Sequence, residues 1–293
     1  MINPFAGRDT AAVKDEILVA RAQQGDHTAL AQLIKRHQPW IYNIALRMVF
    51  SPQAAEDVTQ EVLIKIITSL AGFKGRSQFR TWAYRIVANH VINMKKRRAE
   101  FSFTSFARYG RGIDNTPDLN IPDPKAIPAD LPVIYEEVKL HCMMGMLLCL
   151  DRRQRLGFIL GEIFHVTDMV GSSIMGVSRE SFRQMVSRAR RQVYSFIQER
   201  CGLIDPSNSC RCHKKAQAMI QWKSLDPAHL EFNRHFVHHV KDLCQIKQHK
   251  LNSLMDRKAQ ELFASQPFQN PPDFTVKIRD LMDSSEMKDI FEL

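Results

Sequence analysis

The sequence predicts an all-α protein that contains two helical domains, a proline-rich linker between them and a helical C-terminal extension. Apolar residues recur at intervals of three and four in every convincing segment, and no stretch alternates apolar and polar residues as a half-buried strand does. Prolines and aspartates interrupt this pattern in one central segment. We therefore place the domains at residues 13–98 and 133–200, the linker at 99–132 and the extension at 201–293.

The first domain begins with helices whose starts are marked by single residues. Asp26 is predicted to cap one helix, and Pro39 is expected in the first turn of the next. Ser51 and Pro52 predict the start of a third helix, because serine caps a helix and proline fits its first turn. The apolar stripe of this third helix contains Ala55, Val58, Val62, Ile66 and Leu70.

The third helix also carries a polar, mostly acidic face. It is formed by Glu56, Asp57, Gln60 and Glu61. Such a face is usually only solvated. Because a basic segment follows it directly, a surface that docks another protein is the alternative interpretation.

The basic segment covers residues 72–98, with eight basic residues and no acidic one. Residues 71–78 contain two glycines and are predicted to form a loop, and Phe79 is predicted to begin a helix. Positive charge beside aromatic faces suits single-stranded or melting DNA, whose unstacked bases need a surface on which to stack.

The aromatic residues of this segment have two interpretations. Phe79 and Trp82 are expected in the core, because their helical spacing continues to Ile86. For Phe73 and Tyr84 both a core position and a DNA-facing position remain open.

The linker is defined by the loss of amphipathic spacing and by its prolines. These are Pro117, Pro122, Pro124, Pro128 and Pro132. Helical spacing resumes at Val133 and continues to about Arg200.

The clearest local motif lies in the second domain. Thr167 is predicted to cap a short helix that ends at Met175, Gly176 to supply a turn, and Ser178 to cap a second helix. The buried side of the second helix is predicted to contain Phe182, Val186, Ala189 and Val193. A short helix, a glycine turn and a basic helix form the helix-turn-helix arrangement, which presents the second helix to the DNA major groove. An ordinary helical hairpin with a solvated basic face is the alternative.

A cysteine cluster follows this motif. Cys201, Cys210, Cys212 and His213 supply four soft ligand atoms, which tetrahedral zinc prefers. Their spacing matches no standard zinc site, and the adjacent Cys212 and His213 would struggle to share one ion. We therefore expect no metal and no cofactor, and we expect Cys201 to pack in the core.

Composition limits the partners and the compartment. The net charge of +10 favours a polyanion, either nucleic acid or an acidic membrane surface. No apolar run is long enough to span a bilayer, and no signal-peptide pattern opens the sequence, so we expect a cytoplasmic protein with reduced cysteines. Walker loops, His-Glu-x-x-His zinc motifs and nucleophile elbows are missing, so we expect no enzyme.

Several segments occur in the order known from one family. Residues 18–26, 55–61 and 79–89 resemble the sigma-two domain, and residues 150–155 and 176–190 resemble the sigma-four domain. The chain thus resembles the bacterial RNA polymerase sigma factors of the extracytoplasmic-function group. Residues 201–212 are similar to a joint in one subgroup that carries a C-terminal extension.

The resemblance implies roles for individual residues. Asp57, Gln60 and Glu61 would dock on core RNA polymerase. Residues that would recognise and open the −10 promoter element are Phe73, Lys74, Arg76, Ser77, Gln78, Arg80, Tyr84, Arg85, Asn89, Lys95 and Arg97. Residues that would read the −35 element are Arg179, Glu180, Ser181, Arg183, Gln184, Ser187 and Arg188. The implied partners are core RNA polymerase and promoter DNA, and an anti-sigma factor is a third candidate.

Two features depart from the common pattern. Gly171, Ser172 and Ser173 stand where the family has a Glu-Ile-Ala-type stretch. Since glycine weakens a helix by up to about 1 kcal/mol relative to alanine, we expect a less stable domain or altered docking. We also expect the extension from Gly202 to modulate activity, while the two domains suffice for basal initiation.

The alternative function is a transcriptional activator that contacts DNA through the helix-turn-helix and never joins the polymerase. An acidic docking face followed by a basic segment argues against it, because a simple activator needs neither.

Overall fold

The structure, a computed structural model, describes residues 10–96, 98–102, 105–119, 131–227, 229–232, 263, 269–275 and 278. Every regular element in these ranges is helical, apart from an isolated bridge between Cys201 and Cys210, so the all-α prediction is confirmed. Within the same residues, none of the helices combines the length and the apolar character needed to cross a membrane.

The α-helices of the described residues are α1 (Thr10–Gln23), α2 (His27–Val49), α3 (Pro52–Ser69), α4 (Phe79–Asn93), α5 (Arg98–Ser102), α6 (Phe106–Asn115), α7 (Leu131–Leu148), α8 (Arg152–Phe158), α9 (Asp168–Met175), α10 (Arg179–Arg200) and α11 (Cys212–Gln221). A 3-10 turn (Leu70–Gly72) follows α3, and one turn of π-helix (Ile159–Ile163) extends α8.

The predicted helix starts of the first domain are largely confirmed. The Asp26 side chain accepts a hydrogen bond from the backbone N–H of Ala29 at 3.0 Å, and Ser51 accepts one from Ala54 at 3.4 Å. Pro52 occupies the first turn of α3. The five predicted apolar residues of α3 and the following turn are all buried: Ala55, Val58, Val62, Ile66 and Leu70.

Pro39 does not begin a helix, so that prediction was wrong. It lies inside α2, which runs without interruption from His27 to Val49. An interior proline removes one helical hydrogen bond and costs about 3 kcal/mol. Leu33 before Pro39 and Ile41 after it are buried in the same core. Tertiary packing along both halves of α2 therefore outweighs the local preference.

Helices α5 and α6 form inside the predicted linker, so that part of the prediction was also wrong. Ser105 caps α6 by accepting a hydrogen bond from the N–H of Arg108 at 3.2 Å. The rings of Phe106 and Tyr109 contact the ring of Phe196 in α10, with centroids 5.3 and 5.8 Å apart. These contacts are distant in sequence, which is why local spacing did not predict them. The middle prolines of the linker lie outside the described residues.

Two arginines and Glu100 join the two halves of the chain. Arg152 of α8 pairs with Glu100 of α5 at 2.7 Å and donates to the carbonyl oxygen of Ile92 at 3.0 Å. Arg155 pairs with the same carboxylate at 3.2 Å and donates to the carbonyl of Leu147 at 3.0 Å. Burial lowers the pKa of Arg155, and the negative charge of Glu100 acts in the opposite direction.

The extension contributes to the main core. Phe263 and Phe274 are fully buried there, and the Phe263 ring contacts Phe158 with centroids 5.2 Å apart. The side-chain amide of Asn43 donates to the carbonyl of Gln269 at 2.9 Å. Residues of the extension thus complete the packing of the other two segments. The expectation that the two domains suffice for basal initiation stays a prediction, and truncation after Arg200 would remove these contacts.

Helix α11 of the extension forms a second, smaller core with α7. Its apolar contacts involve Ile134 and Val138 of α7 with Ala216 of α11 and Leu225 after it. The extension is therefore anchored at two places.

Candidate nucleic-acid and protein interface

The predicted helix-turn-helix geometry is confirmed. Thr167 caps α9 by accepting a hydrogen bond from Val170 at 3.4 Å, and Ser178 caps α10 by accepting one from Ser181 at 3.1 Å. Gly176 between them has a φ of 64°, a left-handed conformation that glycine adopts without the Cβ penalty. The glycine therefore turns the chain between the two helices.

Gly171 has a packing role in this motif. A Cβ atom built on Gly171 would lie 2.3 Å from Cζ of Phe182, far inside van der Waals contact. The Phe182 ring is itself buried, with 3% of its surface exposed. The glycine therefore lets α9 and α10 approach closely, and its effect is not simply the weakening of α9 that helix propensity predicts.

One face of α10 is turned to solvent, opposite its buried stripe. Phe182, Val186, Ala189 and Val193 are buried as predicted. The residues predicted to read DNA are all exposed: Arg179, Glu180, Ser181, Arg183, Gln184, Ser187 and Arg188. The face can therefore meet a large partner without rearrangement of the backbone.

Carboxylates orient the long side chains on this face. Glu180 accepts hydrogen bonds from Arg183 at 3.2 Å and from Gln184 at 2.9 Å. Asp168 of α9 accepts one from Arg179 at 3.2 Å, and this bond lowers the pKa of Asp168. Because these pairs are exposed, solvent screens them and they hold the side chains only weakly. Phosphate or base groups of DNA can therefore replace the carboxylates at small cost.

Arg190 makes a contact within the fold, although 51% of its side chain is exposed. Its guanidinium pairs with the buried carboxylate of Glu162 in the π-helical turn, and the hydroxyl of Tyr194 donates to the same carboxylate at 3.1 Å. Arg190 thus fixes α10 to the preceding helix.

The loop before α4 presents most of the residues that were predicted to contact melting DNA. Lys74, Arg76, Ser77 and Gln78 are exposed, whereas Arg80 is half-buried and donates to the side chain of Gln78 at 2.8 Å. The loop therefore carries its positive charge at the surface.

The aromatic residues of this region separate into two environments. Phe73 is half-buried and its ring contacts Phe79 and Trp82, with centroids 5.9 and 5.1 Å apart. Phe79 is in the core, as predicted, and Trp82 is partly buried against it. Tyr84 has only 1% of its surface exposed, and burial raises the pKa of its hydroxyl well above the usual value. Its predicted place on a DNA surface is therefore corrected to a core position.

The remaining residues of this set lie along α4 and after it. Arg85, Asn89 and Lys95 are exposed, and Arg97 lies outside the described residues. The Arg85 guanidinium donates to the carbonyl oxygen of Ser173 in α9 at 3.0 and 2.6 Å. Helix α4 therefore contacts the first helix of the helix-turn-helix through one of the arginines assigned to DNA.

The predicted docking residues lie on one side of α3. Asp57 and Glu61 are exposed and Gln60 is half-buried. A carboxylate oxygen of Glu61 lies 3.3 Å from Nε2 of His90, a buried residue of α4. Nζ of Lys65 lies 2.7 Å from Nδ1 of the same imidazole, and an ammonium group can only donate, so Nδ1 accepts. The His90 ring thus lies between Glu61 of α3 and Lys65 of the same helix.

The contribution of His90 was not predicted from the sequence. Its local spacing on α4 shows only that it faces the helix bundle. The pairing with Glu61 depends on how α3 and α4 pack. The structure also brings Glu61, Asn89 and Lys95 around one open depression, although they were assigned to two different partners.

Three of the four candidate zinc ligands lie among the described side chains. Among the described residues, no group of three or more His, Cys, Asp or Glu side chains is arranged to hold an ion. Cys201, Cys210 and Cys212 are each partly buried, and burial raises the pKa of all three thiols. The side chain of His213 lies outside the described residues.

Comparison with known proteins finds a family model and several relatives that resemble part of this chain. Residues 33–101 match the family model described as Sigma-70 region 2. The chain is 34% identical over 115 residues to the RNA polymerase sigma-H factor of Pseudomonas aeruginosa, covering 38% of this chain and 60% of that protein. It is 42% identical over 79 residues to the ECF RNA polymerase sigma-E factor of Haemophilus influenzae, covering 27% and 41%. The matches thus span about half the length of these relatives.

A solved structure, that of CnrH in complex with the cytosolic domain of CnrY, is similar with a TM-score of 0.46. Its sequence identity is 20%, over 63% of this chain and 97% of that chain. The family model covers α3, the basic loop and α4, where the sequence itself resembles the sigma-two domain. The chain is therefore similar to RNA polymerase sigma factors of the ECF group, and residues 33–101 match their Sigma-70 region 2.

Proposed function

We propose that this chain binds core RNA polymerase, directs it to promoters through the −10 and −35 elements, and helps to open the promoter DNA. The observation that carries the proposal is the presence of two separate polar surfaces in one chain. One is the exposed face of α10 on a helix-turn-helix, and the other is the acidic side of α3 next to the basic loop.

The exposed face of α10 is proposed to read the −35 element. Arginine can bond guanine through two hydrogen bonds, and glutamine can bond adenine in the same way. Arg183 and Gln184 lie in the first two turns of α10, the part of a recognition helix that enters the major groove. Glu180 accepts a hydrogen bond from each of these side chains before DNA is bound.

The loop before α4 is proposed to hold the −10 element as it opens. Lys74 and Arg76 supply positive charge for the backbone of the separated strand, and the half-buried Phe73 offers part of a ring face for stacking. Arg85 belongs to this surface only when it has released the carbonyl of Ser173.

Asp57, Gln60 and Glu61 are proposed to dock on the polymerase. The core needs none of them for packing, since the buried side of α3 is formed by other residues. Charged groups at a protein interface steer association, and truncation of one group leaves the charge opposite it unpaired. The two exposed carboxylates fit a basic surface on the polymerase.

The test is a pull-down with core RNA polymerase and a transcription assay in vitro. The triple variant Asp57→Ala/Gln60→Ala/Glu61→Ala should keep the circular dichroism of the wild type but lose core binding and transcription. The matched control, Glu16→Ala/Gln32→Ala, removes an exposed acid and an exposed amide from α1 and α2 and should bind normally. A triple variant that binds core polymerase as tightly as the wild type would contradict the docking assignment.

The same experiment separates the proposal from its alternative. An activator that contacts DNA alone would shift a promoter fragment in a gel but would not be retained by core polymerase. We propose a non-enzymatic protein that acts in the cytoplasm without a cofactor. An anti-sigma factor is proposed as a further partner from the family resemblance, and it would be detected by copurification from cells.

A further inference from the structure

A cavity of about 390 Å³ lies between α6, α7 and α11, away from the surfaces assigned to DNA and polymerase. This volume falls within the range of small-molecule sites. The cavity joins the segment that was expected to be a linker to the first helix of the extension.

The lining is mostly apolar. Aromatic surface comes from Phe50, Tyr109 and Trp222, and the aliphatic part comes from Ile113 and Val138. The exposed fraction of Trp222 is 56%, so its ring stands at the mouth of the cavity. An apolar lining of this kind with a few polar groups is typical of ligand sites.

All formal charge in the described lining is positive. Arg108 and Lys215 line the cavity, and no Asp or Glu among the described residues does so. Lys215 is paired with Asp118 at 3.1 Å. Arg108 is exposed, and within the described part of the chain no carboxylate forms an ion pair with it. A charge of this sign at an apolar cavity favours an anionic group on the ligand.

Gly112 keeps the cavity open. Tyr109, Gly112 and Ile113 of α6 line the cavity at helical spacing, and so does Thr116, the residue that caps the end of α6. A Cβ atom on Gly112 would meet no atom within 4 Å, so any larger side chain would project into unfilled space. Glycine weakens a helix by up to about 1 kcal/mol relative to alanine, and packing does not require it at this position.

We propose that this cavity binds a small, largely apolar molecule that carries one anionic group. The apolar body lies against Tyr109, Ile113 and Val138, and the anionic group meets Arg108 at the mouth. Because α7 and α11 form two walls, the bound molecule stabilises the contact between the extension and the second domain. This site is separate from the proposed promoter and polymerase surfaces, so its test does not depend on them.

The test uses octanoate and its neutral counterpart octan-1-ol as probes of the full chain. Octanoate should give a saturable change in tryptophan fluorescence and a matching heat in calorimetry. Trp222→Phe should remove most of the fluorescence change and leave the heat. Arg108→Gln should weaken octanoate by about two- to fivefold, as expected for an exposed ion pair, and leave octan-1-ol unchanged.

Gly112→Leu tests the cavity itself, because its side chain should fill the space and abolish binding of both probes. Gly112→Ala adds only a methyl group and should weaken binding of both probes less than Gly112→Leu does. It replaces the leucine variant if that variant loses its helical circular dichroism. Undiminished octanoate binding by the folded Gly112 variants would overturn the proposal. Equal effects of Arg108→Gln on the acid and the alcohol would overturn the anionic part.

Discussion

Gly171→Ala is the substitution for which helix propensity and packing predict opposite results. Propensity alone predicts that alanine stabilises α9 by about 1 kcal/mol, because glycine is a poor helix former. In the structure, however, the new methyl carbon would lie 2.3 Å from Cζ and 2.7 Å from both Cε atoms of Phe182. Distances below 3.0 Å do not occur at real Cβ atoms, so the ring or the helix must move.

The size of the effect follows from the burial of that ring. Phe182 is only 3% exposed, so it cannot swing into solvent, and α9 must move away from α10 instead. Overpacking a core by one methyl group typically lowers the free energy of unfolding by about 2 kcal/mol. After the propensity gain is subtracted, we expect the free energy of unfolding to fall by about 1 kcal/mol.

Urea denaturation followed by circular dichroism measures this change. Gly112→Ala is the control, because its methyl group meets no atom within 4 Å and should raise the free energy of unfolding by up to about 1 kcal/mol. Phe182→Leu shortens the opposing side chain, so Gly171→Ala should cost less in that background than in the wild type. An increase in stability for Gly171→Ala in the wild-type background would refute the packing argument.

Three further predictions follow from the surfaces and the core. Arg183→Ala should weaken promoter binding by about 1 to 3 kcal/mol and relax the preference at one base pair, whereas Lys95→Ala should weaken binding to all promoters evenly. An even loss for Arg183→Ala across single-base promoter variants would contradict the base contact. Glu100→Gln leaves the buried Arg155 and the partly buried Arg152 without their carboxylate, and it should lower the free energy of unfolding in urea by about 3 kcal/mol. The exposed Glu180→Gln should lower it by less than about 1 kcal/mol, and equal losses would contradict the buried network. Burial raises the pKa of Cys212 to about 12, so its thiol is protonated at pH 8. Iodoacetamide should therefore label Cys212 much more slowly in the folded protein than in urea, and equal labelling rates by peptide mass spectrometry would refute this.

Local structure could be predicted well from the sequence where one residue decides it. Asp26, Ser51, Thr167 and Ser178 all cap the helices that they were expected to cap. Each cap depends on a hydrogen bond to a backbone group only three residues away, so the sequence contains both partners.

Features that depend on distant residues could not be predicted in this way. Helix α6 is held by Phe196, and Tyr84 is buried because α4 packs against the preceding helices. Gly171 was expected to weaken α9, since propensity describes a helix without its neighbours. The 3.3 Å approach of Glu61 to His90 likewise depends on the relative position of two helices.

The candidate site follows the same division. The exposed side of α10 was predicted completely, because burial on one helix determines which residues remain outside. The surface near α4 was predicted only in part, since one of its members is in the core and another contacts α9.

The contacts between α2 and residues 269–275 have a consequence for synthesis of the chain. The hydrogen bond between Asn43 and Gln269 joins residues 226 positions apart, and that between Gln38 and Phe274 joins residues 236 positions apart. A ribosome that adds about 5 to 20 residues per second makes Gln269 roughly 10 to 45 s after Asn43. During that time the side-chain amide of Asn43 lacks the carbonyl of Gln269 as an acceptor, and the side-chain oxygen of Gln38 lacks the backbone N–H of Phe274 as a donor. A nascent chain that stalls before residue 269 therefore exposes this side of α2 to chaperones and proteases.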